Sequence, residues 1–192
     1  MNKVTLSGTM LHDLMVVKTP RSTSYNGVLR VTRKSGIYDD IPFTTYNSYI
    51  TKVSGMSATV TGKINTRENR NPLINKKIAS TITASSVEYT VTGSRNYNSV
   101  EVEGTVVGKP HLRHTPRGKI INNFAIATAR PNGKTDLIHV IAWEDDAYSL
   151  GDIVHGERLK IQGRVQIRPY VKKDGSKHRV MEVCLTKFER GK

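Results

Sequence analysis

Apolar and polar positions alternate through most of the chain, which predicts strands and few helices. Val100-Glu-Val102-Glu and Leu159-Lys-Ile161-Gln alternate cleanly, and Val180-Met-Glu-Val183-Cys-Leu185 does so in part. In Leu137-Ile-His-Val-Ile-Ala-Trp143 a period of two puts Ile138, Val140 and Ala142 on one face, and Leu137, His139, Ile141 and Trp143 on the other. The first set is purely apolar and suits an interior. The second mixes a His and a Trp with aliphatics, as a partly covered outer face does. Over residues 40–46 the same reading sends Ile41 and Phe43 inward and leaves Asp40, Pro42, Thr44 and Tyr46 outside. Turns are expected at Asn122-Asn123, Asn132-Gly133 and Asp174-Gly175. One helix is expected over residues 143–150, where Glu144, Asp145 and Asp146 suit the positive end of a helix dipole, and residues 47–53 are a weaker version.

The pattern occurs twice. Asn2-Lys-Val-Thr-Leu-Ser-Gly8-Thr9 matches Asn98-Ser-Val-Glu-Val-Glu-Gly104-Thr105, and Thr19-Pro20-Arg21 matches Thr115-Pro116-Arg117, both at a spacing of 96. Val60-Thr-Gly62-Lys-Ile64-Asn-Thr-Arg67 matches Ile161-Gln-Gly163-Arg-Val165-Gln-Ile-Arg168 at a spacing of 101. The growth in spacing places a longer insertion in the second copy between these segments. The order of matches predicts two copies of one domain, 1–90 and 97–192, joined by a linker over 91–96 rich in Thr, Ser, Asn and Gly. Five strands with a short helix between the third and fourth is the order of a Greek-key OB barrel, so the expected architecture is all-β, with two tandem five-stranded OB barrels.

Charge narrows the function. The 192 residues include 30 Lys plus Arg against 16 Asp plus Glu, a net of +14, divided as +8 over residues 1–96 and +6 over 97–192. An excess spread through both halves points to a polyanion, nucleic acid first. The alternative is a basic protein that is merely soluble. No apolar run reaches membrane-helix length. With no leader-like start and a single cysteine, Cys184, the expected location is cytoplasmic. An enzyme is not expected. Glu144, Asp145 and Asp146 are consecutive on a helix and diverge, and no HExxH, Walker A or GxSxG pattern occurs. No cofactor or metal is expected.

The densest candidate chemistry is the hairpin Arg168-Pro-Tyr170-Val-Lys172-Lys173-Asp-Gly175-Ser-Lys177-His178-Arg179, one aromatic among five cations. Bases stack on aromatic faces for about 1–3 kcal/mol each, and Lys and Arg neutralise phosphates. The alternative is a solvated hairpin with a stray Tyr. Its counterpart in the first copy carries Arg67 and Arg70 and no aromatic. The Thr-Pro-Arg loops add Arg21, and Arg117 with Lys119. Trp143 and Tyr46 end the outer faces of their strands, either covering the sheet or stacking bases. His139, Arg130 and Tyr38 complete the candidate set.

These segments resemble the bacterial single-stranded DNA-binding protein family. The resemblance rests on Asn98-Ser-Val-Glu-Val-Glu-Gly104-Thr-Val-Val-Gly108-Lys-Pro110, Asn123-Phe-Ala-Ile-Ala127-Thr128, Thr135-Asp-Leu-Ile-His-Val-Ile-Ala-Trp143, Ile161-Gln-Gly163 and Arg168-Pro-Tyr170 with Asp174-Gly175 at the hairpin tip. It covers nearly all of the second copy and, more faintly, the first. It implies OB folds that bind single strands by stacking and phosphate contacts, in DNA replication, recombination or repair. Its stacking aromatics fall on Trp143 and Tyr170; a third falls on Leu137, which cannot stack. In the first copy only Tyr46 matches, with Tyr38 as a substitute. The family joins four OB domains, so a two-domain chain implies a homodimer, with replication proteins as further partners. The ending Thr186-Lys-Phe-Glu-Arg-Gly-Lys192 is basic where the family has an acidic tip. That departure is similar to the primosomal replication protein N branch, and leaves a plasmid or phage replication accessory, or an RNA binder, as alternatives.

Overall fold

The computed structural model describes residues 1–48, 50–68, 78–90, 96–171 and 174–191, with the backbone alone for Glu68 and Ile78. The chain divides into two compact units. The N-terminal unit comprises Lys3–Asn65 with Thr81–Ser99; the C-terminal unit comprises Val100–Lys192 with Met1–Asn2 and Thr66–Ser80.

The strands lying wholly or mainly in the N-terminal unit are β1 (Asn2–Met10), β2 (Met15–Thr19), β3 (Ser22–Thr32), β4 (Tyr38–Thr45), β5 (Ser57–Glu68) and β6 (Ile78–Thr90), in the order β1-β5-β6-β4-β3-β2. The C-terminal unit holds β7 (Tyr97–His114), β8 (Ile120–Ala129), β9 (Thr135–Trp143), α1 (Glu144–Ser149), β10 (Arg158–Val171) and β11 (Lys177–Arg190), in the order β10-β11-β9-β8-β7. Pairs β4–β6 and β9–β11 are parallel, and the remaining described pairs are antiparallel.

The expectation of two tandem five-stranded barrels, each with its own helix, is corrected. Within each unit the described strands are hydrogen-bonded into all-β sheet of mixed parallel and antiparallel topology, with no discrete pair of five-stranded barrels, and α1 is the one helix among the described residues. Two local causes account for the strand and helix counts. The first strand of the N-terminal copy breaks at residues 11–14, where Asp13 Oδ1 accepts the N–H groups of Val53 and Ser54 at 2.9 and 3.0 Å. The same stretch of the second copy continues as β7, past a register irregularity between Val107 and His111 that Gly108 (φ 76°) takes up. Residues 47–53 form no helix among those described. Thr45 Oγ1 donates to the Asn47 carbonyl and Ser48 Oγ to the Ile50 carbonyl, at 3.1 and 2.6 Å, which are local bonds that compete with helix formation.

The faces of the strands follow the alternation except at Ile141, expected on the outer face but buried with Ile121 and Cys184. Ile138, Val140 and Ala142 are buried while Leu137, His139 and Trp143 are partly covered, and Ile41 and Phe43 are buried opposite exposed Pro42. The repeated glycines mark close strand approaches. A methyl on Gly8 or Gly104 would strike the carbonyl of Arg30 or Ala127, and one on Gly62 or Gly163 that of Thr83 or Cys184. Asn132-Gly133 and Asp174-Gly175 are turns, with φ 76° and 80° at the glycines. Asn122-Asn123 is not a turn. It lies inside β8, and fully buried Asn122 donates from Nδ2 to the Leu150 carbonyl at 2.8 Å, tying α1 to the sheet.

Candidate nucleic-acid interface

Five strands of the C-terminal unit carry one cleft of about 410 Å³. It is lined by Arg113 from β7, Asn123 and Phe124 from β8, His139 and Val140 from β9, Arg168 and Tyr170 from β10, and Val180 and Glu182 from β11. Of the residues expected from sequence, His139, Arg168 and Tyr170 come together here. Arg113, Asn123 and Glu182 join them.

Tyr170 is half-buried and lies opposite His178 in the β10–β11 register. The two rings stack with centroids 5.4 Å apart and planes 27° apart. Ser176 Oγ sits 2.8 Å from His178 Nε2, and the Ser176 backbone N–H donates to Asp174 Oδ1 at 2.9 Å, so the turn fixes the His side of the pair. One face of Tyr170 is thereby engaged.

Arg168 is committed differently. Its Nε and Nη2 donate to Glu182 Oε1 and Oε2 at 2.9 and 3.0 Å, and Gln166 Nε2 donates to the same Oε1 at 2.7 Å. Glu182 is 4% exposed and Arg168 43%. The hydrogen bonds that Arg168 donates to Glu182 push the guanidinium pKa up, against a smaller effect of burial, so Arg168 stays charged. Glu182 was missed by sequence reasoning. The signal for it was a lone acid in the largely apolar run 180–185, opposite Gln166 and diagonal to Arg168 across an antiparallel pair.

Trp143 does not line the cleft. It is half-buried and packs against buried Ile121, Ile141 and Cys184. Arg130 also lies elsewhere. It donates to Asp136, which is 1% exposed, and to the Thr66 carbonyl, while Leu137 N–H donates to Thr66 Oγ1 at 2.9 Å. Lys119 pairs with Glu144 at 3.7 Å, both of them exposed. Arg117, Lys177 and Arg179 are exposed on the two hairpins. Lys172, Lys173 and Arg70 lie outside the described residues.

In the N-terminal unit Arg21 is exposed in the β2–β3 turn, and Tyr46 is exposed just after β4. Tyr38 is exposed, with the Arg30 guanidinium 3.8 Å from its ring centre, and Arg30 is itself bound to Asp40 at 2.7 and 3.0 Å. Arg67, which belongs to the Thr66–Ser80 segment of the C-terminal unit, is exposed near the end of β5. The cleft of the N-terminal unit, about 490 Å³, is lined by Asn47, Ser48, Ile50, Ser85, Ser86, Val87 and Tyr89, none of them charged.

Among the described residues no group of three or more His, Cys, Asp or Glu is placed to hold a metal ion, and no helix is long and apolar enough to cross a membrane.

Comparison with known proteins gives a consistent pattern. The Single-strand binding protein family profile matches residues 97–190. Single-stranded DNA-binding protein 2 of Streptococcus agalactiae serotype V is 31% identical over 100 residues, covering 48% of this chain and 76% of that protein. Single-stranded DNA-binding protein 1 of Lactococcus lactis is 32% identical over 99 residues, and the single-stranded DNA-binding protein of Oceanobacillus iheyensis 33% over 93. The matched parts of this chain, 48% and 45% of it, span 66% and 58% of those two proteins. Over the whole chain the fold is like that of the single-stranded DNA binding protein from Thermus aquaticus, with a TM-score of 0.81 at 20% identity, covering 100% of this chain and 93% of that one.

Proposed function

The chain belongs to the bacterial single-strand binding protein family of OB-fold proteins, and on that premise we propose that it binds single-stranded DNA with little sequence preference, in replication, recombination or repair. The observation that carries this reading is the cleft across β7–β11. It joins an aromatic platform (Tyr170), hydrogen-bonding groups (Asn123, His139 and the Glu182-bound Arg168) and a guanidinium (Arg113) on one sheet surface. Stacking accepts any base because every base has a π-face, and side-chain cations follow the phosphates. Arg117, Lys119, Lys177 and Arg179 supply positive charge on the β7–β8 and β10–β11 hairpins.

Trp143 is the single tryptophan, so its fluorescence reports the C-terminal unit alone. Titration with oligo-dT at two salt concentrations is expected to give an affinity that falls steeply with salt. Duplex DNA is expected to bind more weakly, and equal affinity for both forms would leave charge attraction only. Oligo-U in the same titration tests the sugar. Two family-like copies per chain support a homodimer, for which light scattering at micromolar concentration should return twice the chain mass.

A further inference from the structure

Glu182 is a carboxylate built into the floor of a cleft that is otherwise suited to a polyanion. We propose that Glu182 sets the strength of strand binding: it cancels the charge of Arg168, so that the cleft keeps the arginine as a planar hydrogen-bonding group and withholds it as a phosphate anchor. The inference rests on the single-strand-binding reading above.

Folding alone does not require the charge. Glu182 bonds to Gln166 and, through two bonds, to Arg168, and it is 4% exposed. A glutamine there would fill the same space and still offer a carbonyl oxygen to Gln166 or Arg168. Buried ion pairs are often no more stabilising than neutral residues of similar volume. The charge acts instead on what enters the cleft. The charged side chains lining it are Arg113, Arg168 and Glu182, so with neutral histidine the lining carries one net positive charge where two guanidiniums would give two.

The repeat supplies an internal comparison. The spacing of 101 residues that relates Arg67 to Arg168 relates Thr81 to Glu182, and the same spacing relates the close approaches Gly62–Thr83 and Gly163–Cys184. The first copy thus keeps the arginine and has no carboxylate at the matching place. Arg67 is exposed, and no hydrogen bond or ion pair engages its side chain among the described residues. Among the described residues, one chain therefore holds a charge-cancelled version of this position and one with no described carboxylate partner. An uncancelled arginine adds to affinity and to salt sensitivity together; a cancelled one adds to neither, and a strand bound there leaves more readily.

The test is Glu182→Gln, titrated with oligo-dT from 0.1 to 1 M salt beside the parent protein. Each phosphate neutralised on a single strand contributes about 0.7 to the slope of log affinity against log salt. The variant is expected to be steeper by about 0.7, to bind about fivefold more tightly at 0.1 M, and to converge with the parent near 1 M. A merely structural Glu182 would change the melting temperature and leave the slope alone. The double variant Arg168→Gln with Glu182→Gln has the parent's net charge and is expected to keep the parent's slope. Arg67→Gln is expected to flatten the slope by about 0.7. A Glu182→Gln protein that binds oligo-dT with the parent's slope overturns the proposal. So does a double variant flattened by about 0.7, which would mean that Arg168 anchors a phosphate despite its partner. A parent that does not bind oligo-dT at all overturns the single-strand-binding reading and this one together; a binding parent with unchanged slopes in the variants overturns this one alone.

Discussion

Replacing Tyr170 by Ala isolates the stacking contribution, because the structure limits what that ring can do. His178 covers one face at a centroid distance of 5.4 Å, which leaves one face for one base. One stacked base is worth about 1–3 kcal/mol, so the dissociation constant for oligo-dT should rise about 5- to 160-fold. Loss of the Tyr170–His178 pair adds a stability cost of about 0.5–1.5 kcal/mol, which is read separately in a thermal melt. The ring carries no charge and neutralises no phosphate, so the slope of log affinity against log salt should not change. Tyr170→Phe keeps the face and should bind within a factor of a few of the parent. Trp143 fluorescence at three or more salt concentrations measures affinity and slope in one series. A Tyr170→Ala protein that binds as tightly as the parent would show that the β10–β11 hairpin is ordinary surface. An altered slope with little change at high salt would instead mean that the substitution had displaced neighbouring cations.

Replacing Lys172 and Lys173 together by Ala should weaken oligo-dT, oligo-dC and mixed sequences alike and flatten the salt slope by about 1.4, if each lysine neutralises one phosphate. Asp136→Ala should cost about 3–5 kcal/mol in urea unfolding, because it leaves Arg130 partly buried without its carboxylate, while the folded fraction binds DNA as the parent does. The Asp13 carboxyl is held below its ordinary 3.8 by the Ser54 N–H first and then by Lys52. Its contribution is therefore complete above that value and is lost as pH falls through the lower folded value. The melting temperature of Asp13→Asn should lie below the parent's by a constant gap from pH 7 to 5, and the gap should close below about pH 4.

Strand faces were legible in the sequence wherever one side meets the core. Ile138, Val140 and Ala142 on β9, and Ile41 and Phe43 on β4, follow directly from a period of two, because a one-residue slip would expose them all. The glycine pairs of the repeat were legible as positions, and the structure supplies their cause in the carbonyls they admit. What could not be read was how strands are shared. Strand β1 pairs with β3 and with β5, and β7 pairs with β8 and with β10, choices made by contacts far apart in sequence. Asn122-Asn123 misled for a related reason. Asparagine favours turns when its side chain bonds its own backbone, but Asn122 finds a distant carbonyl at Leu150 and so stays in a strand.

The candidate site was half legible, and the missing half is charge pairing. Composition counts a guanidinium the same whether it is free or already bound to a carboxylate. Arg30 with Asp40, Arg33 with Asp39, Arg130 with Asp136, Arg168 with Glu182 and Arg190 with Asp152 are all close pairs. Two of these repeat a single device: Arg33 and Asp39 stand 97 residues before Arg130 and Asp136, each pair spanning a hairpin with its aspartate 1% exposed. Such arginines hold hairpins together. Arg21, Arg67, Arg113 and Arg117 have no such partner among the described residues. On the proposed reading, these arginines are the ones left to meet a polyanion. Arg130 and Arg168, two of the candidates chosen from sequence, have as their nearest partners carboxylates on neighbouring strands, a pairing that composition does not reveal.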